Sequence, residues 1–167
     1  CTVERKRGNL AQAEAYGQEA LRLALANELP DAAHYARLHL GYVWLAAGEL
    51  KEAAAAFQLA ADGWGTQQRT NLAMEATVGL AAVAQQQGNL PGAVALIEPI
   101  VPLLMVRAPE GTDEPFEMCL TCYRILAACG DQRAGALLGA ANAQLEELAG
   151  KITDRQIRHS FWQAAPA

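Results

Sequence analysis

Basic residues are few in this chain and form no run longer than Arg5-Lys6-Arg7: 13 lysines and arginines stand against 18 acidic residues, a net charge of −5. A surface of that sign has no stripe able to neutralise a row of phosphates, so nucleic acid is not expected as a direct partner. Long apolar runs are missing too. The longest, residues 93–108, is interrupted by Glu98, Pro102 and Arg107 and cannot cross a bilayer as one helix, so no membrane partner is expected. Cys1, Cys119, Cys122 and Cys129 are too few and too clustered to be the disulfide framework of a small secreted domain. That predicts a reducing compartment, the cytoplasm. No Gly-x-Ser-x-Gly, no His-Glu-x-x-His and no phosphate-binding glycine loop ending in Gly-Lys-Ser/Thr occurs, so an enzyme is not expected and no cofactor is implied. The residues before Gly8 are too short and polar for a signal peptide, and the chain opens on Cys1 rather than methionine, which predicts a piece of something larger.

What the chain does have is alanine and leucine, 52% hydrophobic residues overall, with apolar positions recurring at steps of three and four. This is the helical period, and no segment alternates as a strand would. Gly8-Asn9, Gly48-Glu49, Gly88-Asn89 and Gly130-Asp131 stand at intervals of 40, 40 and 42 residues. A glycine just beyond a helix takes the left-handed conformation that other residues resist, so each marks a boundary between two helices. The spacing predicts helices at about 9–27, 31–47, 49–63, 67–87, 90–106, 114–129, 131–149 and 153–163. Grouped, these give a half repeat over 1–27, repeats at about 31–65, 67–107 and 114–150, and a capping helix and tail over 152–167. Thr153 and Gln156 are spaced as a capping box for the last helix, with Ile152 and Ile157 as its hydrophobic staple. Ile157, Phe161 and Trp162 are expected to cover the end of the stack. At the other end nothing covers the helix from Leu10 to Asn27. Apolar surface is expected around Leu10, Ala13 and Leu21, with self-association through this uncapped repeat as its consequence.

The repeated Gly-x-Leu-x-x-Ala, seen at Gly48-x-Leu50-x-x-Ala53 and Gly88-x-Leu90-x-x-Ala93, resembles the tetratricopeptide family. The second repeat matches best, with Leu40-Gly41, Trp44, Phe57 and Ala60 at the family's positions. The resemblance covers about residues 8–149 and implies an all-α, right-handed superhelix of antiparallel helix pairs. A 40-residue period is longer than the usual tetratricopeptide period of about 34. Such long repeats resemble the C-terminal region of bacterial signal-transduction ATPases and multidomain regulators related to the maltose-regulon activator. By that resemblance the chain is a non-catalytic sensor or interaction module of a larger regulator. The alternative is a peptide-binding scaffold with no switching role.

The resemblance also implies a concave groove lined by the first helix of each pair. Stepping along the repeats, it assigns Tyr35, Leu38, His39, Tyr42 and Leu45 to that groove from the second repeat. The third contributes Glu75, Val78, Ala82, Gln85 and Gln86, and the fourth Glu117, Leu120, Thr121 and Arg124. A protein or peptide, or a small effector, is the expected occupant. The lysines and asparagines with which chaperone-binding members grip a carboxylate are absent, so that activity does not carry over.

Other candidates have plainer readings. Cys119-x-x-Cys122 has zinc-like spacing but falls inside a helix, with no second cysteine pair, and is expected to be buried core. His34 and His39 lie five apart, off one helical face, and His159 stands alone, so no metal is expected. Trp64, in Asp62-Gly-Trp-Gly65, falls in a predicted connection, where it either packs under the turn or projects as a partner contact.

Overall fold

The fold was described from a computed structural model, in which the described residues are 1–107 and 109–164. Ala108, where the predicted turn begins, and the tail 165–167 lie outside the described residues. Among the described residues the only regular structure is helical: α1 (Thr2–Lys6), α2 (Leu10–Ala26), α3 (Pro30–Ala47), α4 (Leu50–Thr66), α5 (Thr70–Gln86), α6 (Leu90–Ile97), α7 (Val101–Val106), α8 (Pro115–Ala128), α9 (Arg133–Lys151) and α10 (Arg155–Ala164). None is long and apolar enough to cross a membrane.

Helices α2 to α6 begin at residues 10, 30, 50, 70 and 90, a step of 20 rather than 40. Every one of these boundaries closes the same way. The N–H groups of Asn9, Leu29, Glu49, Arg69 and Asn89 donate to carbonyls five residues back, at 2.8–2.9 Å. This bond satisfies a carbonyl that the ending helix leaves unpaired. It needs a left-handed residue just before the donor. Gly8, Gly48 and Gly88 supply it at φ 77–81°, but Glu28 and Gln68 adopt it at φ 55° and 58° without being glycine. Alternate turns therefore carry no glycine.

Helices α1 to α6 pack in sequence and α8 packs on α9, while α5 also touches both α3 and α8, which sets α3, α5 and α8 side by side as one layer. Phe57 of α4 is fully buried and reaches between α3 and α5 at two glycines. A Cβ on Gly41 or Gly79 would come within 2.7 and 2.5 Å of its ring. Gly41 and Gly79 thus make room for one aromatic. A second cluster, around Ile97, Leu104, Met118, Ile125 and Leu137, joins α5 through α9.

Five expectations change. The predicted helix over 90–106 breaks at residues 98–100, because Pro102 offers no N–H to the Glu98 carbonyl and its ring clashes there. Helix α4 runs on to Thr66 through Gly63 and Gly65, so Trp64 is helical. The cap of α10 is Asp154, not Thr153: its Oδ1 accepts from the N–H groups of Gln156 and Ile157 at 2.7 and 3.0 Å. Ile157 and Trp162 are 60% and 42% exposed and Phe161 is half-buried, so the predicted staple does not form and of the predicted cover only Phe161 is partly buried. At the N-terminal end Ala13 is fully buried against its neighbours, and Leu10 and Leu21 are half-buried. The apolar side chains of α2 that face solvent are Tyr16, Leu23 and Leu25.

Candidate functional site

Helices α1, α3, α5 and α8 together line a cavity of about 290 Å³. Steps of three and four along each helix bring its contributors to one side. From α3 come Tyr42, Leu45 and Ala46. From α5 come Val78, Gly79, Ala82, Gln85 and Gln86. Helix α8 adds Glu117, Met118, Thr121 and Arg124, and α1 adds Arg5. Small residues at Gly79 and Ala82 keep the α5 wall low.

A hydrogen-bonded closure between the inner helices and the connection before α8 borders one end of the cavity, at Tyr42 and Arg5. Glu75 is fully buried in α5, and its carboxylate accepts from the N–H groups of Asp113 and Glu114 at 2.8 and 2.9 Å and from the Tyr42 hydroxyl at 3.4 Å. These bonds fasten the connection before α8 to the inner layer. Burial nevertheless raises the Glu75 carboxyl above the ordinary range, outweighing the two N–H donors that favour its charged form. Burial also pushes the Tyr42 hydroxyl well up, reinforced by Glu75 and Glu114. The Arg5 guanidinium lies 5.1 Å from the centre of the Tyr42 ring and bonds to Glu114 at 3.0 Å, while Lys6 reaches the other Glu114 oxygen at 2.9 Å. Beside them His39 bridges Asp113 and the Thr2 hydroxyl, at 2.9 and 3.2 Å.

The other end is open and its charges are loosely held. Arg124 and Glu117 approach only to 3.8 Å, beyond hydrogen-bond reach, with their side chains 55% and 32% exposed. Gln85 and Thr121 are half-buried there, and Gln86 is exposed.

Of the residues assigned to the groove from sequence, the structure brings Tyr42, Leu45, Val78, Ala82, Gln85, Gln86, Glu117, Thr121 and Arg124 into this cavity. It does not bring Tyr35, Leu38, His39, Glu75 or Leu120 there, Glu75 being fully buried. Leu38 is fully buried in the core, since its position on α3 faces α4 and α5. Tyr35 packs edge-on against Trp64, ring centres 5.0 Å apart. His39 belongs to the closure, and Leu120 lies on the far side of α8, facing α9. Trp64 is no partner contact: it is fully buried and its indole N–H donates to Asp31 at 2.9 Å.

Sequence reasoning missed Arg5, Ala46, Gly79 and Met118. Ala46 was legible, one turn beyond Tyr42. Arg5 was not, because α1 is a single turn in a polar stretch and its partner Glu114 is remote in the chain. Cys119 and Cys122 are buried and unbridged, and burial lifts their thiols to about 11 and about 12. Among the described residues no group of three or more potential ligands is placed to hold a metal. Compared with known proteins, the chain matches no family model, no curated protein and no solved structure.

Proposed function

We propose that this chain is a non-catalytic binding module, built as a tetratricopeptide-like α–α superhelix, whose occupant sits in the cavity between α1, α3, α5 and α8. The observation that carries the reading is the convergence of four helices, α1, α3, α5 and α8, on one open space walled by apolar side chains and edged by Gln85, Gln86, Thr121 and Arg124. Pockets that hold ligands have this make-up, a mostly apolar wall with a few polar groups that orient. By the resemblance drawn from its repeats, the module is the C-terminal sensor or interaction region of a larger bacterial signal-transduction ATPase or regulator. The alternative is a peptide-binding scaffold with no switching role.

Tyr42 is only 8% exposed and packs against Phe57, so truncating it lowers stability and cannot report on binding cleanly. Arg124 is the better probe. With a partner or effector recovered from the source cells, Arg124→Ala is expected to weaken binding by about 2 kcal/mol, roughly thirtyfold, and leave the melting temperature unchanged. Unchanged affinity in a well-folded Arg124→Ala, Gln86→Ala double variant would remove the support for this site.

A further inference from the structure

The shape and charge of the cavity narrow what it holds, given the reading that it is the binding site. Its roughly 290 Å³ corresponds to about ten waters at liquid density, the room taken by an amino acid or a short peptide rather than a folded segment. At one end the wall is Tyr42 and Arg5, held in place by Glu75 and Glu114. At the open end stand one positive and one negative group, Arg124 and Glu117, 3.8 Å apart and not hydrogen-bonded to each other.

Each simpler ligand fits that pair badly. A neutral apolar molecule would take both charges out of water without giving either a hydrogen bond. A simple carboxylate would satisfy Arg124 and leave Glu117 facing a second negative charge. A phosphate dianion would meet the same repulsion more strongly. A molecule with both charges at one end satisfies both, its carboxylate accepting from the Arg124 guanidinium and its ammonium donating to Glu117. Behind them Val78, Ala82 and Met118 offer an apolar wall to the rest of the ligand. We propose that the cavity takes a small zwitterion with an apolar body, a free amino acid or dipeptide bearing apolar side chains.

The test is calorimetric titration of the 167-residue chain with leucine and leucyl-leucine, which separate the two sources of this chemistry, and with N-acetylleucine and leucinamide, which each lack one charge. At least one zwitterion is expected to bind, and removing either charge to weaken it by about tenfold or more. Acetylation should cost little in Glu117→Gln, and amidation little in Arg124→Gln, because each variant lacks the group that reads that charge. Both side chains lie at the cavity's edge, and a melting curve verifies that the variants fold. Binding by neither zwitterion, or equal binding of leucine and N-acetylleucine to the unaltered chain, overturns the proposal. Ala82→Phe separates this failure from a failure of the site. If the filled cavity no longer binds N-acetylleucine but the ammonium makes no difference, the site stands and the zwitterion falls. If Ala82→Phe binds leucine as well as before, both fall.

Discussion

Glu75 is the one fully buried charged residue among those described, and three donors hold it there: two backbone N–H groups of the connection before α8 and the Tyr42 hydroxyl. Removing the carboxylate would orphan those donors, whereas glutamine keeps an acceptor without the charge. Because burial raises the Glu75 carboxyl above its ordinary value of 4.5, the folded protein binds a proton more readily there than the unfolded chain. Its contribution is therefore fully present below that ordinary value and is lost as pH rises through the higher folded one. The stability of the unaltered chain relative to Glu75→Gln is expected to fall with rising pH across that interval, measured by urea unfolding of both proteins. A difference that rises would contradict the assignment. His39 titrates with the opposite sign: burial lowers it from 6.5 against the pull of Asp113, so its contribution is lost as pH falls. The comparison between variants removes that background.

At the scale of elements, the glycines made the helix boundaries of every second turn legible, and the steps of three and four made the helix types legible. The 20-residue step was not, because Glu28 and Gln68 occupy positions where the backbone prefers glycine, and nothing in their side chains announces it. A left-handed conformation costs a non-glycine residue about 1–2 kcal/mol, partly offset in glycine by the entropy of the unfolded chain. Glu28→Gly and Gln68→Gly are each expected to stabilise the protein by about 0.5–1 kcal/mol, and Gly48→Ala to destabilise it by about 1 kcal/mol, in chemical denaturation. Loss of stability in both glycine variants would mean that these turns are not built as described. Pro102 was visible in the sequence, yet helical periodicity on either side concealed that it divides α6 from α7. Trp64 misled for the opposite reason: Gly63 and Gly65 look like a turn, but Gly63 is small because the His34 ring occupies the space beside it.

Across the whole molecule, the cavity was legible as far as repeat register could carry it. Repetition fixes which side of α3, α5 and α8 faces inward, so most of the lining followed from one reference position. The closure did not follow, because Arg5 and Glu114, like His39 and Asp113, are remote in the chain and meet only in the folded stack, which no local pattern encodes. That closure ties α1 to the connection before α8 unevenly. Arg5 and Glu114 have side chains only 17% and 12% exposed, while Lys6 is 59% exposed. Arg5→Ala is expected to destabilise by about 2 kcal/mol, since it leaves a half-buried carboxylate short of a partner. Lys6→Ala should change stability by less than about 0.5 kcal/mol. Equal effects in urea unfolding would show that the closure is a surface contact.

The central claim is that ligand binds in the inner cavity and not on the outer helices. Methyl-resolved NMR, with the chain titrated by its recovered partner or effector, tests it most directly. The account predicts that the methyl signals of Leu45, Val78, Ala82 and Met118 shift on binding, while those of Leu23 on α2 and Leu59 on α4, both exposed, stay in place. Shifts at Leu23 and Leu59 with the four cavity signals unmoved would contradict it.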